Sequence, residues 1–247
     1  MSDYERYGDY NEIEEDTPKS KNPILVTLRI LTAVICIGVV GLIAFRLIAF
    51  NSYPKIAKDL YVNEAFSEYY ESKGGDVTVK TQKLRAPYDD PDLGNFFCDY
   101  LYVIEDMGQL QITVRYNKAT VKRIADELAI TLDDKSKDIF KFRLCASYGE
   151  GRELVYYENL SISEFDSSLM YRYNKLVFDG VDFALEDGSH PYWIRLEVTV
   201  DEKLIPENTD EKIKNKIYMI PVYENNENFS KFSEYELPKN KIEELEN

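Results

Sequence analysis

The residue types able to carry covalent chemistry are few in this chain. His190 is the only histidine among 247 residues, so a serine or cysteine nucleophile activated by imidazole would have to use it. It stands in Asp187-Gly-Ser-His-Pro-Tyr-Trp193, a turn entering a strand, and reads as a turn residue ahead of Pro191. With one histidine and no Cys-x-x-Cys pair, zinc has no ligand set. Carboxylates are plentiful. Asp89, Asp90 and Asp92 cluster in one turn, as calcium ligands do, but Pro91 interrupts their spacing and no EF-hand pattern of glycine and terminal glutamate follows. Asp179 and Asp182 have the composition of a glycosidase pair. In a chain with 45 acidic residues such pairs also arise by chance. These two acid groups define a carboxylate-dependent hydrolase as the alternative reading.

No glycine-rich phosphate loop, Walker sequence or dinucleotide fingerprint occurs, so no cofactor is expected. Neither a catalytic set nor a metal set is assigned. The densest aromatic cluster is Tyr192 and Trp193 beside His190, and these three form the expected binding patch. Cys98 and Cys145 lie on separate expected strands and have two open readings, one disulfide in an exported domain or two buried free thiols. Cys145 alternates with Lys141 and Arg143, which sets it on an outer face. Asn159-Leu-Ser161 and Asn228-Phe-Ser230 have the form of glycosylation sequons.

The element that must position all of this is apolar. Ile30 to Phe45 reads ILTAVICIGVVGLIAF without one charge, and the run extends to Pro23 on one side and Phe50 on the other. A bilayer core of ~30 Å needs about 20 helical residues at ~1.5 Å each. Residues 23–50 therefore predict a transmembrane anchor whose partner is the lipid bilayer, with Arg29 and Arg46 as snorkelling markers. No small-x-small cleavage site follows the run, so it reads as an uncleaved signal anchor. Lys19, Lys21 and Arg29 on one side balance Arg46, Lys55 and Lys58 on the other, and the positive-inside count ties. An N-terminal anchor before a long soluble domain decides for a cytoplasmic N-terminus and an extracytoplasmic C-terminal domain.

Before the anchor, residues 1–22 form an acidic tail without apolar periodicity. After it, residues 51–75 predict a juxtamembrane helix over Ile56 to Ser72, closed by Gly74-Gly75. From residue 76 to 225 the period changes to two. Strands are expected at Phe96 to Ile104, Leu110 to Tyr116, Phe140 to Ala146, Glu153 to Tyr157, Met170 to Phe178, Val181 to Leu185, Tyr192 to Val200 and Lys216 to Tyr223. One helix, with Val121, Ile124, Ala125 and Leu128 on one face, interrupts them. The tetrapeptide Arg-Tyr-Asn-Lys occurs at 115–118 and at 172–175, but its flanks do not align as a repeat would. Residues 226–247 read as an acidic, fraying tail. The expected fold class is mainly β: a transmembrane helix, a juxtamembrane helix and an antiparallel β-sandwich-like domain with one or two short helices.

A formal charge of −15 excludes a nucleic-acid partner, because phosphate binding needs clustered Lys and Arg. The sequence thus predicts a membrane-anchored envelope protein, non-enzymatic, whose exported domain binds a protein or glycan. An accessory subunit of a membrane complex is the further alternative.

Overall fold

The computed structural model describes residues 22–51, 53–84, 87–132, 138–149, 154–165, 170–183, 191–210, 214–224 and 231–245. Its two compact units are the residues up to Ala49 and those from Phe50 onward. The first is a helix, α1 (Pro23–Asn51). Proline at the first helical position is pre-set for helix, and the Asn22 side chain accepts the Ile24 amide at 3.2 Å. From Pro23 to Ile48 the helix is long and apolar enough to cross a membrane. Thr27 and Thr32 donate their hydroxyls back to the carbonyls of Pro23 and Leu28, both at 2.9 Å, so neither needs a polar partner outside the helix. Its large apolar side chains are all exposed, from Ile24 through Ile48.

The second unit is mainly β, as expected, with two antiparallel sheets. The first sheet has the order β11-β1-β3-β4-β8-β7, with β2 also on β3. Its strands are β1 (Lys80–Lys83), β2 (Pro87–Asp90), β3 (Gly94–Ile104), β4 (Gln109–Asn117), β7 (Ser161–Phe165), β8 (Tyr171–Phe178) and β11 (Ser233–Glu234). The second has the order β10-β9-β5-β6, made of β5 (Phe140–Ser147), β6 (Leu154–Glu158), β9 (Trp193–Val200) and β10 (Tyr218–Glu224). The inner faces pack into one core. Phe96, Leu101, Ile112, Val114, Tyr116 and Leu176 meet Phe142, Leu144, Leu196, Val198 and Ile220 there. Helix α3 (Lys118–Glu127) joins this core with the Val121, Ile124 and Ala125 face that the sequence spacing predicts. Between β3 and β4 the hairpin turns through Gly108 in the left-handed region, φ +62°.

Several local expectations change. Ile56 to Leu60 is not helical: a 3₁₀ turn (Lys55–Lys58) precedes an extended stretch, and α2 (Glu64–Ser72) starts only where the Asn63 side chain accepts the Phe66 amide at 2.8 Å. Val181 to Phe183 is not strand, and the rest of that expected strand lies outside the described residues. Strands β2 and β7 form where the sequence showed only turn and sequon residues. The fraying tail is instead pinned: β11 pairs with β1, α4 (Lys239–Leu245) follows, and Leu245 is buried. The two Arg-Tyr-Asn-Lys segments lie side by side, with Arg115 opposite Tyr173 and Tyr116 opposite Arg172. They sit in opposite phase, since Tyr116 packs in the core while Tyr173 meets Tyr53 edge-on on the far face.

That far face of the first sheet is covered by the segment following α1. Leu60, Phe66 and Tyr70 pack with Val79, Tyr102, Ile104 and Leu245 into a second apolar cluster. Beside it lies a polar layer that grips main chain. The Gln111 side chain accepts the Tyr61 amide at 2.9 Å and donates to the Tyr61 carbonyl at 2.8 Å. Thr113 donates to the Ala57 carbonyl at 3.1 Å, Tyr102 donates to the Lys58 carbonyl, and Tyr235 accepts the Leu60 amide at 3.1 Å. A residue inserted in β3 feeds this layer. Cys98 pairs with Val114 but Tyr100 pairs with Thr113, so Asp99 is a bulge, and its carboxylate accepts Arg115 Nε at 2.8 Å.

Lys175 stands in the same layer, 2 % exposed, its amine on the Thr113 hydroxyl and 4.4 Å from the Tyr102 ring centroid. Burial lowers its pKa from 10.5 to about 7, against the opposing pull of Asp59 and Asp99. Between pH 7 and 10.5 the unfolded chain holds a proton that the folded one has released, so stability rises with pH across that window and is flat below it. Above about pH 10 the trend reverses, because burial pushes the Tyr53 and Tyr102 phenols upward and the folded chain keeps protons that the unfolded one loses. Lys175→Met is expected to remove the rise and to stabilise the domain at pH 7 by on the order of 2–4 kcal/mol. Urea unfolding at pH 7, 8.5 and 10 reads both effects, and a Lys175→Met chain with an unchanged pH slope would contradict them.

Candidate functional site

The two sheets differ in what lies on their outer faces. On the second sheet Lys141, Leu154, Tyr156, Glu158 and Pro221 remain exposed. Strand alternation places Lys141, Arg143, Cys145 and Ser147 of β5 on this face, opposite the core residues Phe142, Leu144 and Ala146. On β9 the matching set is Trp193, Arg195, Glu197 and Thr199. The pairing register then sets these residues in rows across four strands. One row is Glu158, Arg143, Glu197 and Met219; the next is Tyr156, Cys145, Arg195 and Pro221; the third is Leu154, Ser147, Trp193 and Glu224.

Neighbours within and between rows fix the side chains. Arg143 directs Nε and Nη2 to one oxygen of Glu197, at 3.0 and 2.7 Å, and its guanidinium lies 4.4 Å from the Tyr156 ring centroid. Arg195 stacks on Trp193 at 4.8 Å. Guanidinium groups held flat on aromatic rings lose little further entropy when they bind, and rings beside them offer flat apolar area. At one end the face deepens into a groove of about 400 Å³, where Lys141, Arg143, Glu158, Glu197, Lys214 and Lys216 contribute charge of both signs. Lys141 pairs with Asp201 at 3.0 Å along its rim. The chemistry on offer is recognition by stacking, ion pairing and hydrogen bonding.

Of the residues expected to bind, Trp193 lies on this face, half-buried under Arg195, and Tyr192 precedes it, exposed, its amide on the Ser147 carbonyl. His190 lies outside the described residues. Arg143, Tyr156, Arg195 and Glu197 were not singled out from sequence. Their alternation was visible there, but only the β5–β9 register makes Arg143 and Glu197 opposite residues.

Of the acids considered for hydrolysis, Asp90, Asp92 and Asp179 are engaged separately, and the side chain of Asp89 lies outside the described residues. Asp90 accepts the amides of Asp92 and Leu93, both at 2.9 Å, closing its own turn. Asp92 pairs with Lys216, which holds its carboxyl below the usual range. Asp179 accepts Gln109 Nε2 at 2.8 Å. Among the described residues no group of three or more potential ligands gathers for a metal. Asn159 of the first sequon accepts the Val177 amide at 3.0 Å, and Asn228 lies outside the described residues.

Of the two readings for Cys98 and Cys145, the structure has the free thiols and not the disulfide, and both are buried. Cys98 points into the inter-sheet core, whereas Cys145 points to the outer face of the second sheet beneath Tyr156. Burial raises the pKa of each thiol, so neither is a poised nucleophile. Both cysteines are expected to resist alkylation in the folded chain and to react fully on denaturation without a reductant. Mass mapping that finds them two hydrogens short and unalkylated would contradict this.

No protein-family model matches this chain, and no curated protein or solved structure matches it either.

Proposed function

We propose that this chain is a single-pass membrane protein whose extracytoplasmic domain is a non-catalytic binding module for a protein or glycan, working through the outer face of its second sheet. The observation that carries this reading is the contrast between the sheets. The first sheet's outer face is consumed by the segment after α1, while on the second Tyr156 and Glu158 are exposed, Arg143, Trp193 and Arg195 are half-buried, and Glu197 is buried beside Arg143. Aromatic residues and Arg are the types enriched at the centres of protein interfaces. The hydrolase alternative is disfavoured because Asp90 closes its own turn while Asp92 and Asp179 pair with Lys216 and Gln109 instead of converging.

Anchoring is supported by α1 itself. Its exposed Leu, Ile, Val and Phe side chains need an apolar surrounding, at about 25 cal/mol per Å² of surface removed from water. Within the domain, Tyr53 packs against Tyr100 and Tyr173. The orientation follows from the length of the domain after an N-terminal anchor.

Two measurements test the reading. Protease added to intact cells is expected to remove the domain, and protection until lysis would reverse the orientation. A photoreactive residue at Tyr192 is expected to give adducts in the native membrane that one at Lys122, exposed on α3, does not. Equal labelling, or none, would overturn the assignment of the binding face.

A further inference from the structure

Eight large apolar side chains outside α1 are exposed among the described residues. Four of them fall within seven consecutive positions: Leu154 (40 %), Val155 (38 %), Tyr156 (46 %) and Leu160 (61 %). Three of these belong to β6, which pairs with β5 on one side and, among the described residues, ends the sheet on the other. An edge strand presents a row of unpaired amides and carbonyls, and proteins commonly blunt such edges with lysine, proline or a bulge. Leu154-Val-Tyr-Tyr-Glu158 has no lysine and no proline, and its register with β5 runs unbroken from Leu154 to Glu158. An apolar strand with an open main-chain edge is the receiving half of strand addition.

We propose that β6 accepts an extended segment of a partner protein as a fifth strand of the second sheet, and that this segment alternates apolar residues with Lys or Arg. Charge decides its chemistry. The chain carries −15, which favours cationic partners. Locally, Arg143 stands opposite Glu158 but gives Nε and Nη2 to Glu197, so Glu158 is left to face a cation on the open side. A second copy of this chain fits worse. It would bring two chains of −15 together, and antiparallel self-pairing centred on Tyr156 would set each Glu158 against a Leu154. On the incoming strand, residues on the same face as Tyr156 would extend the row of Tyr156, Cys145 and Arg195. The inference thus rests on the binding-module reading and specifies the partner of that face.

The test uses the full chain in nanodiscs of zwitterionic lipid, with three fluorescent peptides read by anisotropy. One alternates valine and lysine, one replaces each lysine by glutamate, and one is the basic peptide N-methylated on alternate amides so that one main-chain edge cannot donate. The basic peptide is expected to bind, the glutamate peptide at least about tenfold more weakly and the N-methylated peptide not measurably, with binding falling as salt rises. Leu154→Lys and Val155→Lys should each weaken it about tenfold. Both positions are exposed, and an unchanged unfolding temperature confirms that each variant is folded. No binding of the basic peptide, equal binding of the glutamate or N-methylated form, or a chain that dimerises through β6 would each overturn the proposal. Adducts at Tyr192 together with any of those results would leave the binding face standing and remove strand addition alone.

Discussion

The rest of this structure depends on one side chain gripping the main chain of one residue. Gln111, fully buried on β4, accepts the amide of Tyr61 and donates to its carbonyl, so an amide side chain satisfies an extended main chain as a neighbouring strand would. Thr113, Tyr102 and Tyr235 extend the same grip to Ala57, Lys58 and Leu60. Without these bonds, main-chain groups buried against the sheet would go unpaired, each at roughly 1–3 kcal/mol. The segment after the apolar helix is therefore part of the domain, and the chain passes from α1 to a fixed attachment.

This attachment sets the division of labour between the sheets. The outer face of the first is polar where it meets main chain and apolar where it meets Phe66 and Tyr70, and Lys175 is buried there at a cost that its lowered pKa records. Residues from both ends of the domain cover it, since Tyr235 and Leu245 arrive from the C-terminal side. The second sheet shares only the inner core with the first. Its other face is left to Arg143, Tyr156, Trp193, Arg195 and Glu197, and its edge to β6.

Much of the β architecture is legible in sequence because one face of each long strand is buried. Ile194, Leu196, Val198 and Val200 alternate with Arg195, Glu197 and Thr199, and the structure places the first set in the core. Helix α3 is legible for the same reason, by its spacing of Val121, Ile124 and Ala125. Where the outer face is also buried, the signal fails. Gln109, Gln111 and Thr113 look like a solvent face on β4 but are buried, because their polar groups bind side chains and main chain instead of water. The helix expected from Ile56 onward gives way to extended chain for that reason, and the bulge at Asp99 is visible only as a break in alternation. The candidate face is half legible: Tyr192 and Trp193 stand out by type, whereas Arg143 opposite Glu197 is a fact of register.

The attachment can be tested residue by residue by amide hydrogen exchange on the full chain in a bilayer mimic. The amides of Leu60 and Tyr61, bonded to Tyr235 and Gln111, are expected to exchange as slowly as those of β4, in a single cooperative opening with the first sheet. Exchange at these two amides near the rate of an unstructured peptide, with β4 still protected, would show that the segment after α1 is a free linker and would contradict the account.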